Sequence, residues 1–134
     1  MKRIAGVALV AAFMSVSFVA VATAHTVKHD STVTFQVKKN GQEADTFEGK
    51  VRSVSDRCVA DRVVRIYQVA DGDDVLIGET TTDADGDYST PTGAIAAGTY
   101  YAVLTRTVLR DSEEHTHVCK RDVSVDRVVA EPAA

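Results

Sequence analysis

The chain has 134 residues, 25% of them charged, and a formal net charge of −4 at pH 7. This length suits one domain with one modest hydrophobic core, so a second domain is not expected. The acidic balance argues against nucleic acid as a partner, because surfaces that bind nucleic acid carry an excess of Lys and Arg.

The first 24 residues have the pattern of an export signal. Lys2 and Arg3 precede an apolar run over residues 4–21, and Ala22-Thr23-Ala24 is a small-x-small cleavage sequence. An uncleaved membrane anchor is the alternative, since the run is nearly long enough to span a bilayer. The cleavage sequence and the two serines within the run favour a cleaved signal. We therefore predict a secreted or extracytoplasmic protein with no membrane span after cleavage, which leaves 13 basic and 19 acidic residues, a net charge of −6.

The remaining chain is predicted to be a loose arm over residues 25–31, a β-domain over residues 32–128 and a disordered tail over residues 129–134. In the first strand, Val33, Phe35 and Val37 alternate with polar residues, the period-2 pattern of a strand with one buried face. Further apolar runs rich in Val, Ile, Thr and Tyr are separated by turn residues. They predict strands over residues 46–54, 62–69, 75–81, 87–90, 100–106 and 118–128.

Some of these strands carry more detailed expectations. Residues 62–69 are apolar on both faces, which predicts an interior strand. Pro91-Thr92-Gly93 is expected to end the fifth strand, and residues 107–117 are a charged loop. In the last strand Cys119, Val123 and Val125 share the parity of the core face. With no helical periodicity after the signal, the pattern predicts an all-β, seven-stranded Greek-key sandwich of two sheets.

Cys58 and Cys119 are the only cysteines. In an exported chain without Cys-x-x-Cys spacing, a disulfide is favoured over a metal or catalytic pair, with two unpaired buried thiols as the alternative. Closing a loop with a sequence separation of 61 stabilises the folded state by roughly 4 kcal/mol in the chain-entropy model.

A series of short motifs resembles the carboxypeptidase regulatory-like domains of the prealbumin (transthyretin)-like group, over about residues 32 to 128. The resemblance implies a Greek-key accessory or surface module with no catalytic residues and no cofactor. Collagen-adhesin relatives cross-link a Lys to an Asn, but the only asparagine, Asn40, lies in a predicted turn. The motifs are Phe47-x-Gly49-x-Val51, Cys58-Val59-x-x-Arg62-x-Val64-x-Ile66-Tyr67, Gly78, Thr82-Asp83-x-x-Gly86-x-Tyr88 and Gly98-x-Tyr100.

Asp83, Asp85 and Asp87 suggest a calcium loop, because a hard cation needs several oxygen ligands on a short turn. The register differs from an EF-hand-type loop, since Gly86 is at position four and position twelve is Ala94. A hairpin turn whose aspartates accept backbone hydrogen bonds is the favoured interpretation, and weak calcium binding is the alternative.

His115 and His117 lie two residues apart, so on an extended segment both face the same side, as a transition-metal pair would. Intradiol ring-cleaving dioxygenases share the prealbumin-like sandwich and hold ferric iron with two tyrosines and a His-x-His pair. The similarity carries over only to Tyr100, His115 and His117. The second tyrosine has no counterpart, and Glu113-Glu114 replaces an Arg-Pro, so two solvated loop histidines are favoured and catalysis is not expected.

Other candidates are weaker. Cleavage after Ala24 would give His25 an α-amine that could chelate copper together with His29 or His117. Tyr67 and Tyr101 suit either an exposed binding face or, as favoured here, burial by the second sheet. The basic residues Arg62 and Arg65 are expected to form surface ion pairs with Asp56, Asp61 and Asp126.

The sequence as a whole predicts a secreted, monomeric, non-catalytic β-sandwich with a structural or binding role. Its partner is an extracellular protein, a glycan or an envelope component, which the residues do not distinguish. A metal-binding protein, for iron or copper, or a degenerate dioxygenase-like protein is the alternative.

Overall fold

The computed structural model describes residues 23–131, and this part of the chain is all-β with one short 3-10 turn at Asp56–Cys58. Residues 1–22 of the predicted export signal and residues 132–134 of the predicted tail lie outside the described residues. Between residues 23 and 131, no helix has the length and apolar character needed to cross a bilayer. The strands are β1 (His25–His29), β2 (Ser31–Val33), β3 (Gln36–Lys38), β4 (Asp45–Ser53), β5 (Val63–Gln68), β6 (Val75–Thr81), β7 (Asp87–Gly93), β8 (Gly98–Leu104), β9 (Thr107–Arg110), β10 (His115–Cys119), β11 (Asp122–Val123) and β12 (Arg127–Val129).

The strands form three sheets. In the first, β2 and β3 follow one another along one side of β4, and β7 lies along the other. In the second, the order is β11-β8-β5-β6, with β12 also paired to β8. The third is the small sheet β1-β10-β9, in which β1 and β10 form the one parallel pair described. The arrangement is consistent with a β-sandwich, although seven strands in two sheets were predicted and residues 23–131 form twelve strands in three sheets.

The core is made by apolar side chains of the first two sheets. Phe35 and Phe47 have ring centroids 5.6 Å apart, and Phe47 lies 5.4 Å from Tyr100. Ile66 and Leu104 of the second sheet are fully buried in the same cluster. The alternation predicted from residue 32 is confirmed at Val33 and Phe35, and β5 is an interior strand between β6 and β8, as its apolar faces predicted.

The first predicted strand is interrupted at Thr34. The Tyr88 hydroxyl passes over Gly49 and donates to the Thr34 carbonyl. A Cβ atom at position 49 would lie 2.0 Å from that carbonyl oxygen, so only glycine leaves room for the contact. The close approach splits one strand into β2 and β3.

Pro91 does not end the fifth strand, contrary to prediction. β7 continues to Gly93, and Pro91 pairs with Thr46 beside an irregularity in β4 at Asp45. β7 lies at the edge of its sheet among the described strands, which is a position where a strand tolerates the missing N–H of proline.

Two segments predicted to be irregular are strands. The charged run 107–117 forms a hairpin of β9 and β10, closed by Ser112, whose hydroxyl accepts a hydrogen bond from the His115 amide. The predicted loose arm contains β1, which lies along β10 with His25 opposite His115. Short polar strands of this kind lack the apolar alternation on which the prediction relied.

The last predicted strand is three separate strands, and its parity changes within it. Cys119 is buried, but Val123 and Val125 are 41% and 67% exposed, so their predicted core positions are wrong. Ser124 points inward instead, and its hydroxyl accepts a hydrogen bond from the Ala102 amide. The chain leaves the third sheet after Cys119 and joins the second sheet at β11, and this crossing shifts the inward parity by one residue. The strand structure then extends to Val129, the first residue of the predicted tail.

Candidate functional site

The predicted disulfide between Cys58 and Cys119 is present, with Cα atoms 5.4 Å apart. Both cysteines are fully buried. The bond joins the 3-10 turn that precedes β5 to the end of β10, so it connects the third sheet covalently to the sandwich.

Arg62 lies beneath this disulfide and is not part of a surface ion pair, contrary to prediction. Its side chain is 1% exposed, and its guanidinium donates to the carbonyls of Cys58, Thr105 and Lys120 and to the Ser31 hydroxyl, at 2.7 to 3.0 Å. Burial lowers the pKa of Arg62. The residue therefore connects four separate segments of chain, and nothing in the local sequence distinguishes it from an exposed arginine.

The acidic turn before β7 has the predicted hydrogen bonds from backbone amides to an aspartate, but it is not a hairpin, because β6 and β7 belong to different sheets. One carboxylate oxygen of Asp83 accepts hydrogen bonds from the amides of Asp85 and Asp87, both at 2.9 Å. Gly86 has a φ of +85°, which favours glycine. All three carboxylates are exposed and come within 4.8 Å of one another, and Lys50 pairs with Asp87 at 3.0 Å. The predicted backbone hydrogen bonds to aspartate are confirmed, the predicted hairpin is wrong, and calcium binding at Asp83, Asp85 and Asp87 stays a prediction.

Tyr100 lies apart from the histidines with which it was grouped. It is buried in the sandwich core, and its hydroxyl donates to the Ala96 carbonyl at 2.7 Å. His115 and His117 are on β10, in the third sheet. Within residues 23–131, no hydrogen bond or ring contact joins Tyr100 to either histidine, so the arrangement gives no support to an iron site made of the three residues.

The histidines instead contact the histidines of β1. The rings of His25 and His115 lie 6.2 Å apart between centroids, and those of His29 and His117 lie 5.2 Å apart. Nε2 of His29 and Nδ1 of His117 are 2.9 Å apart, within hydrogen-bond distance. This contact between distant parts of the chain depends on the pairing of β1 with β10, which sequence periodicity did not predict.

Tyr67 and Tyr101 are partly exposed on the outer face of the second sheet, so their predicted burial by another sheet is wrong. They face each other across β5 and β8 with ring centroids 5.6 Å apart. Together with neighbouring residues they line an open cleft of about 320 Å³, which we call the tyrosine–arginine cleft. Its lining is Arg65, Tyr67, Tyr101, Val103, Thr105, Arg106 and Arg121.

The tyrosine–arginine cleft is locally basic in an acidic protein. Arg65 pairs with Glu79 at 2.8 Å, as a surface ion pair, though with a different partner from those predicted. Arg106 and Arg121 have no carboxylate partner among residues 23–131. The Tyr101 hydroxyl donates to Asp74 at 2.6 Å, and this hydrogen bond raises the pKa of Tyr101 to about 12. A tyrosine hydroxyl is neutral at physiological pH, so the phenol does not cancel the arginine charge.

A larger groove of about 450 Å³ lies beside the acidic turn. Of the charged residues that line it, Lys50 pairs with Asp87 and Asp83 accepts hydrogen bonds from two backbone amides, whereas Glu48 has no basic partner among residues 23–131. An anionic ligand there would meet the unpaired carboxylate of Glu48 and would have to displace Asp87 from Lys50, whereas the tyrosine–arginine cleft offers two arginines without carboxylate partners. The smaller cleft is therefore the better candidate for binding.

No family model, curated protein or solved structure matches the chain. The resemblance to carboxypeptidase regulatory-like domains accordingly stays a prediction based on the motifs alone.

Proposed function

We propose that the protein is a secreted, non-catalytic β-sandwich module that binds an acidic extracellular glycan through the tyrosine–arginine cleft. We further propose that it is a monomer with a prealbumin-like Greek-key topology of the carboxypeptidase regulatory-like type. The export-signal pattern and the disulfide support the location, and the sheet order β11-β8-β5-β6 opposite β4 and its partners supports the topology.

The observation that carries the binding role is the pair of arginines, Arg106 and Arg121, beside the exposed Tyr67–Tyr101 pair. A protein with a net charge of −4 has many carboxylates available, yet these two guanidinium groups are left without one. Guanidinium groups bind carboxylates and sulfates through paired, charge-assisted hydrogen bonds. The site thus has positive charge that is not used within the described fold.

The tyrosines favour a ligand with ring faces over a compact inorganic anion. Tyrosine offers a rigid apolar surface and a polar tip, a combination that is frequent at recognition sites. The cleft is open and shallow, so it suits a chain lying along the sheet better than an enclosed small molecule. An acidic polysaccharide carries both features, ring faces and repeated anionic groups.

The test uses the chain beginning at His25 and measures binding calorimetrically to heparin and polygalacturonate oligosaccharides, with a neutral maltohexaose as the control ligand. We expect the acidic oligosaccharides alone to bind, more weakly at higher salt. Arg106→Glu combined with Arg121→Glu should weaken binding at least about tenfold, because two attractive contacts become repulsive.

Arg52→Glu combined with Lys38→Glu is the matched control, since it changes the net charge by the same four units at exposed positions of β4 and β3, outside the cleft. Binding that is equally weakened by the control would reflect net charge and contradict the assignment of the cleft. Absence of binding to both acidic oligosaccharides, or tighter binding to an acidic peptide, would overturn the ligand class.

A further inference from the structure

All four histidines of the chain lie on one face of the third sheet. β1 and β10 are parallel and in register, with His25 opposite His115 and Val27 opposite His117. Alternate residues of a strand point to the same side, so His25 and His29 share a face with His115 and His117. The sheet therefore concentrates every imidazole of the protein on one surface.

The His29–His117 pair is further organised by an acid. Nε2 of His117 is 3.2 Å from Oδ2 of Asp111, and the same oxygen also pairs with the Arg57 guanidinium. A carboxylate fixes the proton of His117 on Nε2, which leaves the lone pair on Nδ1. That nitrogen faces Nε2 of His29 at 2.9 Å. A histidine whose outer nitrogen donates to a carboxylate is the arrangement found behind histidine ligands of metals.

We propose that His29 and His117 form a binding site for a divalent transition-metal ion, with Nε2 of His29 and Nδ1 of His117 as ligands. When no metal is bound, His29 donates the Nε2 proton to His117. In the metal complex that proton resides on Nδ1 of His29, so both facing nitrogens present lone pairs and no proton is released. Both side chains are partly exposed, which leaves room for the rings to tilt toward a common ion.

The separation of the nitrogens indicates which ions suit the site. With metal–nitrogen distances of about 2.05 Å, a separation of 2.9 Å corresponds to a nitrogen–metal–nitrogen angle of about 90°. This is the angle between neighbouring ligands in square-planar and tetragonal complexes, which copper(II) and nickel(II) prefer, whereas tetrahedral zinc needs a wider pair. Copper(II) is also the strongest binder of the divalent series at nitrogen sites. The remaining positions are accessible to water, because both histidines are partly exposed.

This site is separate from the tyrosine–arginine cleft, which is on the second sheet, and the two proposals stand independently. It also differs from a copper chelate at a free α-amine of His25. His25 pairs with His115 at a centroid distance of 6.2 Å, outside the closer His29–His117 contact.

The experiment titrates the protein with copper(II), nickel(II) and zinc(II) separately, by calorimetry, with electron paramagnetic resonance of the copper form. One additional residue before His25 blocks chelation by an N-terminal histidine. We expect one ion per chain, an affinity order of copper over nickel over zinc, and nitrogen hyperfine structure from two imidazoles.

His29→Ala and His117→Ala should each weaken copper binding more than about tenfold, whereas the matched controls His25→Ala and His115→Ala on the same strands should change it less than about threefold. Asp111→Asn should weaken binding about tenfold, since loss of a carboxylate behind a ligand typically costs 10- to 100-fold in affinity. Nitrogen NMR of the metal-free protein should then show His117 losing its fixed Nε2–H form, which a purely structural role of Asp111 would not predict.

Because β1 is a peripheral strand, the amide spectrum of the sandwich serves as the check that each variant is folded. Failure of the parent protein to bind any of the three ions would overturn the proposal. Copper binding that persists in His29→Ala and His117→Ala but is lost in His25→Ala would also overturn it.

Discussion

The sandwich core and the third sheet are held in place in different ways. In the core, Phe35, Phe47, Ile66 and Leu104 are packed between two sheets, and their stabilisation comes from apolar area removed from water. The third sheet is attached through the disulfide and through Arg62, which donates to the carbonyls of Thr105 and Lys120 just outside β9 and β10. Within the sheet, a histidine contact joins β1 to β10. Apolar burial is tolerant of the exact partner, whereas each covalent or polar link needs one particular partner.

The difference shows how a short polar segment can be ordered in a small domain. Val118 is the one apolar residue of β9 and β10, apart from Cys119, that is buried. Burial of a single valine contributes about 2 kcal/mol, less than the entropy lost on ordering several residues. Specific links must therefore supply the rest, and removing them should affect the third sheet before the sandwich.

The largest effect is expected on removing the disulfide. Cys58→Ala combined with Cys119→Ala should lower the free energy of unfolding by about 4 kcal/mol, because the unfolded chain gains the freedom of a large open loop. Urea unfolding measures the loss, and amide hydrogen exchange locates it. Exchange should accelerate first in β9 and β10. Uniform acceleration in all three sheets would contradict the distinction between the two regions.

A cavity in the sandwich core should destabilise the first two sheets more than the third sheet. Leu104→Ala should lower the free energy of unfolding by about 3 kcal/mol, since a fully buried side chain is replaced by a void. Amide hydrogen exchange should accelerate most in β5 and β8 of the sandwich, and less in β9 and β10 of the third sheet. Val108→Ala, at an exposed position of β9, is the control and should change stability by less than about 0.5 kcal/mol.

Replacing the buried arginine tests the polar link between the regions. Arg62→Met keeps the length of the side chain but leaves the carbonyls of Cys58, Thr105 and Lys120 without their donor, which we expect to cost about 2 kcal/mol. Chemical denaturation measures this loss in the free energy of unfolding. Arg65→Met removes only an exposed ion pair and should cost about 0.5 kcal/mol or less. Equal effects of the two substitutions would show that the buried hydrogen bonds of Arg62 stabilise the fold no more than an exposed ion pair does.

The smallest effect concerns a polar link inside the sandwich, at Asp45. Hydrogen bonds from the Ile95 amide, at 2.9 Å, and from Lys39 hold the pKa of Asp45 below its usual value. A carboxyl group with a lower pKa in the folded state contributes stability above its ordinary pKa, and that contribution is lost as the pH falls through the folded value. Asp45→Asn should therefore make stability less dependent on pH in the acid range, as measured by thermal unfolding from pH 2 to 6. An unchanged pH profile would show that another carboxylate dominates.

A structural feature could be predicted from the sequence when the residues that determine it lie close together in the chain. Val33 and Phe35 could be assigned to the core because alternation within one strand is sufficient. The pairing of His25 with His115 could not be predicted, since it joins residues 90 positions apart and neither strand has an apolar face. Arg62 was misassigned because a charged residue gives no sequence sign that backbone carbonyls surround it.

The candidate sites were also predictable only where their residues are close together in the sequence. The turn at Asp83 was predictable from aspartate and glycine within five residues. The tyrosine–arginine cleft was missed in part, because Tyr67 and Tyr101 have the parity opposite to the core but only the sheet order shows whether another layer covers them. The His29–His117–Asp111 chain needed three-dimensional contact between both ends of the domain.

The two cysteines also limit how the protein can be oxidised. With only Cys58 and Cys119 in the chain, one intramolecular pairing exists, so a single molecule has no scrambled isomer to form. Every incorrectly oxidised species must join at least two molecules. Oxidative refolding should consequently yield clean monomer in dilute solution and covalent oligomers as the protein concentration rises, with no need for an isomerase to correct the pairing.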